Sequence, residues 1–599
     1  MAMLRLNLQF VWLVTIIACS CTATCDATAS RPNILLVVSD DLRPSLGSYG
    51  EPVLTPNLDQ LAAQSIRFTN AHVQQAVCGP SRISFLTSRR PDTTRLYDFY
   101  SYWREAAGNF TTLPQHFKEN GYYAASVGKV FHNGKASNFT DDYPLSWSVP
   151  PYWPPSQKYK RKKVCGPGPD GELHEYLICP VNVTQHPLGT LPDIQSTDYA
   201  LEILKNLSKY QSNSSPDLKS NDHSSTGDND RMQPPFFLAV GYHKPHIPLK
   251  YPQEFRDLYP LDSIDIAPDI HLPQKVPPVA WNPWTDVRER EDIAALNVSF
   301  PYGPMPLEYH YLIRQSYYAA VTYIDYQVGR LLAGLEESGF AKNTIVLFVG
   351  DHGWQLGEHQ EWAKYSNYGV ATRVPLIIHI PGVTDTVTSL TKRKFPFINP
   401  LLQKVHFKPP KSTPRGNKVN RSPASNIGYS TNSPVELVDM FPTLADLAGL
   451  KIPPTCPENS LKNDFCTEGS SLTPLIDNVT GKSKSVMLRW KNGTFSQYSR
   501  PSDVPQQDSD MPHLANITIM GYSMRTDNYH YTEWIGFDPH KFQGNWQDVH
   551  ARELYVLDDD PHEDFNVADD PRYESVIKDL SKKLQGGWRY SLPVFDDLQ

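Results

Sequence analysis

Cys78 with Arg82, the pair Asp40-Asp41, and Asp351 are residues whose types and settings point to chemistry. In Cys78-Gly79-Pro80-Ser81-Arg82, Pro80 has no N–H to donate, and Ser81, Ile83, Phe85 and Leu86 begin a helix, which puts Cys78 at its N-terminus. Unpaired backbone N–H groups there favour negative charge, so the position lowers a thiol pKa or cradles an anion. Arg82, one turn on, adds a fixed positive charge with fork geometry. Asp40, Asp41 and Asp351 supply hard carboxylate oxygens, which suit Ca²⁺ or Mg²⁺ rather than a transition metal, and Ca²⁺ tolerates irregular geometry better. Lys129, His132, His243 and Lys364 are of types that neutralise charge building on a bound anion.

The elements that must position these residues read as strands followed by helices. Asn33 to Ser39 is a continuous apolar run, the pattern of a strand buried on both faces, and it ends in Asp40-Asp41. Thr344 to Val349 ends, after Gly350, in Asp351-His352; Pro235 to Val240 leads to His243-Lys244; Tyr122 to Val127 leads to Lys129 and then His132. Helical patterns lie between them: one opened by Thr55-Pro56, one over Gln315 to Glu337, and one over Pro434 to Leu447 with Ser433 as cap and Glu436 at capping-box spacing. The expected fold class is α/β, a large mainly parallel sheet flanked by helices, in which ligands bind beyond the carboxyl ends of the strands. A lone charged residue in such a loop is ordinarily just solvated, and a lone Cys in a helix cap is ordinarily a buried structural thiol. Four strand ends that all carry reactive types argue for one convergent site. Past Cys466, short β-rich runs at Ile517 to Tyr522, Tyr529 to Ile535 and Leu554 to Leu557, then a helix near Val576 to Leu584, predict a smaller C-terminal α+β subdomain. The expected domains are 31–477 and 485–599.

With 599 residues, 40% of them hydrophobic, the chain can bury a large core, and its net charge of −8 argues against nucleic acid as a partner. The apolar run Leu8 to Cys21, followed by small residues, reads as a secretory signal peptide ending near residue 25, too short for a membrane span. In an oxidising compartment Cys165 is expected to pair with Cys179 and Cys456 with Cys466, leaving Cys78 as the odd thiol. Ten Asn-x-Ser/Thr sequons, among them Asn109, Asn138, Asn182 and Asn516, fit a glycosylated protein of the secretory route. Leu207 to Pro234, polar and poor in large apolar residues, and Thr391 to Arg421, with nine Lys or Arg and no acid, are expected to be surface inserts.

Cys78-Gly79-Pro80-Ser81-Arg82 resembles the C-x-P-S-R signature of type I sulfatases, in the alkaline-phosphatase-like superfamily, whose Cys is oxidised after translation to formylglycine. The likeness extends through Ser39 to Gly47, Gln74 to Phe99, Gly241 to Pro248 and Asp351 to Asn367, and runs from near Arg31 to near Asp570. It implies Asp40, Asp41, Cys78, Asp351 and His352 around Ca²⁺, with Arg82, Lys129, His132, His243 and Lys364 as the surrounding catalytic and sulfate-binding groups. Many sulfatases have Asn where His352 stands, and imidazole is an unusual Ca²⁺ ligand, so His352 is either a ligand or an orienting group. Trp354 and Trp362 flank Asp351 and are either core aromatics or a platform for a sugar ring.

The members that this chain resembles most remove the 2-O-sulfate of terminal L-iduronate in heparan sulfate and dermatan sulfate. The implied function is that of a lysosomal exosulfatase with a glycosaminoglycan oligosaccharide as substrate and the formylglycine-generating enzyme as a partner during maturation. Two of its cationic groups are His, with an ordinary pKa near 6.5, so an acidic lumen is expected to leave them protonated. The alternatives are a hydrolase of another sulfated sugar or of a phosphate or phosphonate ester, and a non-catalytic glycosaminoglycan-binding glycoprotein. Cys rather than Ser or Thr at the nucleophile position favours sulfate, and a binding-only protein has no physical need for the complete set of acids and cations.

Overall fold

The computed structural model describes residues 31–168, 170–213, 234–385, 394–403, 428–482 and 487–595. The expected signal peptide lies outside them, as do 214–233 and 404–421 of the two expected inserts. Strand β1 (Asn33–Asp40) is buried along its whole length. Its side chains alternate between two cores, Leu35 and Val37 in one and Ile34, Leu36 and Val38 in the other, as an apolar run covered on both faces must.

The chain continues through α1 (Pro56–Ala63), β2 (Ile66–His72), α2 (Cys78–Thr87), β3 (Tyr123–Gly128), α3 (Pro192–Asn213), β4 (Phe236–Pro245), α4 (Leu307–Glu337), β5 (Thr344–Gly350), β6 (Arg373–His379), β7 (Tyr429–Thr431) and α5 (Met440–Leu447). The sheet order is β7-β2-β6-β5-β1-β4-β3, with Val435–Glu436 also paired to β2. Pairings β1 with β4, β1 with β5, β3 with β4 and β2 with β7 are parallel, while β6 runs antiparallel to both β5 and β2. The sheet is therefore mainly parallel with one reversed strand, the expected fold class. Residues of α3 and α4 such as Leu204 and Leu331 share the core of Leu35, and Ile83 of α2 and Leu444 of α5 share that of Leu36.

Register lines up the strand ends that carry the candidate residues. Ser39 pairs with Gly350 on one side and Tyr242 on the other, and Gly128 pairs with Gly241. A Cβ on Gly128, whose φ is +71°, would lie 2.2 Å from Gly241 O, and one on Gly241 would lie 2.0 Å from Lys129 O. Glycine at both positions lets β3 and β4 close up and delivers Lys129 beside the end of β1.

Three local expectations are corrected. Thr55 precedes α1, but its hydroxyl meets Gly47 N (2.9 Å) and Asp59 Oδ1 (3.0 Å); the first helical N–H groups, of Asn57 and Leu58, donate to Asp325 Oδ1 of α4 at 3.0 and 2.7 Å. Ser433 does not cap α5: residues 435–436 are extended, a 3₁₀ turn follows, and Glu436 itself forms the capping box with Asp439. Residues 207–213, expected in a loop, continue α3 as helix.

In the C-terminal part, β8 (Thr494–Arg500), β9 (Ile519–Arg525), β10 (Tyr529–Asp538) and β11 (Gln543–Val556) form an antiparallel sheet in that order. Helix α6 (Glu574–Gly586) packs Leu580 and Leu584 on Phe495, Met524, Tyr531 and Leu554, the expected small α+β unit. Arg500 ties β8 to the large part through backbone carbonyls of Val279 (3.0 Å), Ala280 (3.1 Å) and Tyr365 (2.7 Å). Disulfides join Cys165 to Cys179 and Cys456 to Cys466, as expected, and Cys78 is a free, buried thiol. Among the described residues no helix is long and apolar enough to cross a membrane.

Candidate active site

Cys78 begins α2, with its Sγ 3.2 Å from Asp40 Oδ1, 3.2 Å from His352 Nε2 and 3.1 Å from Lys364 Nζ. The carboxyl ends of β1, β3, β4 and β5 thus meet the N-terminus of a helix, as the strand-end argument requires. Asp40 closes β1, and Asp41 follows in the left-handed region with φ 60°, a conformation that costs about 1 kcal/mol or more for a non-glycine residue. Two bonds hold it there: Asp41 N donates to Asp351 Oδ1 (2.9 Å), and Tyr317 OH of α4 donates to Asp41 O (2.7 Å).

Each carboxylate has a cation. Lys129 Nζ reaches Asp40 Oδ2 (2.6 Å), Lys364 Nζ reaches Asp41 Oδ1 (2.7 Å), and Arg82 spans Asp351 Oδ2 (2.9 Å) and Asp40 Oδ1 (3.2 Å). The remaining Arg82 donor is held by the carbonyls of Lys129 and Val130. All of these side chains are buried, so each cation offsets the desolvation of the acid it touches. Lys364 is framed by Ala363 (φ 69°) and Tyr365 (φ 67°), and this strained turn is pinned by Asn282 Nδ2 on Lys364 O (2.5 Å) and Arg500 on Tyr365 O.

Burial pushes Asp40 up, but Lys129, His246, Arg82 and Lys364 outweigh it and hold the carboxyl well below its usual range. Burial raises Asp41 to about 6 against Lys364, and Asp351 to about 7 against Arg82, with Asp40 adding to both. The Cys78 thiol is pushed up, first by burial and then by Asp40, which corrects the expectation of a lowered thiol pKa: carboxylate repulsion and desolvation outweigh the helix terminus and the lysines.

His352 is fixed by its Nδ1 against Gly353 O (2.9 Å), so Nε2 faces Cys78, with Asp41 Oδ1 at 3.3 Å and Asp351 Oδ2 at 3.5 Å. Asp40, Cys78, Asp351 and His352 offer ligand atoms close enough for one metal ion, as do Asp40, Asp41, Cys78 and His246. Among the described residues buried Asp41 Oδ2 has no hydrogen-bond partner, and three carboxylates crowd together, so the donor set fits a hard divalent cation.

His243 lines the cavity that opens from Asp40 and Lys129; its backbone N–H donates to Asp193 Oδ1 (2.6 Å), and its ring Nδ1 is 3.4 Å from the same oxygen. His132 lies against Phe99 with ring centroids 4.5 Å apart and planes tilted by 33°, and among the described residues its Nδ1 has no hydrogen-bond partner. Burial and then, for His132, Lys129 hold the imidazoles down; for His243 burial outweighs Asp193. These shifts run against the expectation that mild acid leaves both protonated, since burial outweighs the pull of Asp193 on His243 and of Asp40 on His132. Trp354 and Trp362 are buried, with Trp362 edge-on to His310 at 4.8 Å, so they are core aromatics and not a sugar platform.

Sequence reasoning missed His246, whose Nε2 is 4.0 Å from Asp41 Oδ2, and Asp193, Tyr317 and Asn282, which orient the others. His246 stands three residues after His243 on the same strand exit, a signal that was available. The other three come from distant segments and carry none.

The sulfatase family model matches residues 32–450. Iduronate 2-sulfatase of Homo sapiens is 49% identical over 580 residues, covering 94% of this chain and 97% of the relative. That of Mus musculus is 49% identical over 576 residues, with 94% and 96% covered. A phosphonate monoester hydrolase from Silicibacter pomeroyi superposes with a TM-score of 0.61 over 94% of this chain and 96% of the other, at 19% identity, a likeness of fold. A buried Cys-acid-cation cluster at the strand ends, set in a chain that matches this family model over most of its length, places the protein in the sulfatase family.

Proposed function

We propose that this sulfatase is a lysosomal exosulfatase that hydrolyses the 2-O-sulfate of terminal L-iduronate in heparan sulfate and dermatan sulfate. The observation that carries the reading is the identity of 49% to iduronate 2-sulfatases across nearly the whole chain, joined to an intact Cys78 cluster. Cys78, as formylglycine made by the formylglycine-generating enzyme, would supply a hydrated aldehyde as the nucleophile toward sulfur; in the thiol form Sγ marks the place of that oxygen. Asp40, Asp41, Asp351 and His352, with residue 78, would hold Ca²⁺, which supplies charge neutralisation for a sulfate oxygen.

On this reading the chain's own groups divide the work. Lys129 and Lys364 already sit beside the acids and residue 78, where they stabilise negative charge on a bound sulfate. Arg82 has all three nitrogens engaged and acts as the strut that fixes Asp40 and Asp351. Burial holds His243 and His132 down, and an entering anion raises their pKa, so binding favours the protonated imidazoles that can donate to the leaving oxygen. Asparagines of seven sequons, Asn109, Asn138, Asn182, Asn206, Asn297, Asn478 and Asn516, are exposed, which supports the glycoprotein and secretory-route reading. The test is turnover of a terminal 2-sulfated iduronate disaccharide beside a 6-sulfated glucosamine control. Selective release from the first is expected; equal turnover of both would reject the iduronate assignment and leave the family intact.

A further inference from the structure

The cavity beside Asp40 and Lys129 is walled on one side by a turn whose sequence, Lys158-Tyr159-Lys160-Arg161-Lys162-Lys163, is the strongest basic run among the described residues. The 3₁₀ turn Pro155–Tyr159 is fastened down at both ends. Ser156 N and Oγ donate to Gln195 Oε1 of α3 (3.0 and 2.7 Å), and buried Lys250 donates to the carbonyls of Tyr159 and Lys160, each at 3.2 Å. Lys160 lines the cavity, and Lys158, Arg161 and Lys162 beside it are exposed.

The strip is uncompensated. Lys163 pairs with Glu291 (2.9 Å), but among the described residues Lys158, Lys160, Arg161 and Lys162 have no carboxylate within ion-pair distance. The acids nearby face other cations, Asp170 and Glu291 meeting His174 and Glu175 meeting Arg290, and among the described residues no ion pair joins Glu172 of the hairpin to the strip. Like charges held together on a fixed turn repel one another unless a polyanion lies across them. The cavity behind the strip adds buried Lys244 and Lys250, whose ammonium groups meet backbone carbonyls and, among the described residues, no acid.

From this juxtaposition we infer that the strip Lys158 to Lys162 is the docking surface for the rest of a sulfated glycosaminoglycan chain whose terminal residue enters the cavity. The inference rests on the proposed function and extends it: substrates several sugars long bind more tightly than a single sulfated uronate, through screened, rim-type electrostatics. Lys160 contributes at the mouth, and Lys158, Arg161 and Lys162 beyond it.

The experiment compares the full-length protein with the exposed triple variant Lys158→Gln, Arg161→Gln, Lys162→Gln and with its charge-reversed Glu counterpart. Binding of a heparan sulfate decasaccharide is measured at several salt concentrations, and turnover of a monosaccharide 2-sulfated uronate alongside. The wild type is expected to bind the decasaccharide with a steep loss as salt rises, and the Gln variant to bind about tenfold more weakly with a shallower slope, the Glu variant more weakly still. Monosaccharide turnover is expected to be equal in all three. Unchanged decasaccharide affinity and salt slope in both variants would overturn the docking surface, whatever the turnover. Absence of turnover in the wild type would instead strike the sulfatase reading, with the binding series still deciding the strip.

Discussion

Lys364 Nζ stands 3.1 Å from Cys78 Sγ while it holds Asp41 Oδ1 at 2.7 Å, so one buried cation is shared between the nucleophile position and a carboxylate of the candidate metal site. Lys364→Met keeps the bulk and removes that charge. The expected result is a fall in kcat of about 10²- to 10³-fold, the scale seen when one preorganised charge donor is deleted. Steady-state kinetics on the 2-sulfated disaccharide check it, and a change confined to KM would show that Lys364 only binds.

Arg82 is a strut and not a free cation. Arg82→Lys retains a charge but cannot span Asp351, Asp40 and two backbone carbonyls at once. A loss of roughly 3–5 kcal/mol is expected, because buried Asp351 loses the cation that holds it while Asp40 keeps Lys129. Denaturant unfolding of the variant beside the wild type measures it.

The donor set around Asp41 Oδ2 predicts a bound divalent ion. Elemental analysis of protein purified without chelator should give one Ca²⁺ per chain, lowered by Asp351→Ala. Exhaustive chelation should lower the melting temperature of the wild type more than that of the variant, since only a ligand bound to the native state stabilises it. A metal-free protein with unchanged melting and full activity would remove the ion from the site.

The fold carries its own acid sensitivity at His379, at the end of β6. Burial holds this imidazole down at about 4, although Nδ1 bonds Gln64 O at 2.7 Å. The folded pKa lies below the unfolded one near 6.5, so the unfolded chain binds the extra proton. Stability from this group is complete above about pH 6.5 and is lost as pH falls toward 4, by roughly 3 kcal/mol at the lower end. In His379→Phe, Gln64 O keeps the Thr384 hydroxyl (2.8 Å), so the variant should lose less stability than the wild type between pH 7 and pH 4.5. Parallel pH-stability curves for the two proteins would contradict the assignment.

What was legible in the sequence followed from short-range pattern. The apolar run Asn33 to Ser39 could only be a doubly covered strand, and such runs ending in Asp40, Lys129, His243 and Asp351 foretold both the sheet and where the site opens. The cysteine spacing foretold both disulfides. Illegible were the contacts set by tertiary packing: Asp325 displacing Thr55 as the cap of α1, Tyr317 and Asn282 holding strained backbone around Asp41 and Lys364, and the desolvation that raises Cys78 where a helix N-terminus alone would lower it. Local propensity says nothing about which distant side chain fills a vacant bond. The run Lys158 to Lys163 was open to view, but its meaning depends on Lys250 and Gln195 fixing it at the cavity mouth.

The central claim is that Cys78 becomes the nucleophile by conversion to formylglycine, and mass spectrometry of the peptide containing Cys78, from protein secreted by cells that possess the modifying enzyme, tests it most directly. The expected spectrum shows that peptide with the thiol sulfur replaced by an aldehyde oxygen, in a fraction that tracks specific activity from one preparation to the next; Cys78→Ser should show neither the aldehyde nor sustained turnover. A fully active preparation whose peptide carries only the unmodified thiol would contradict the claim.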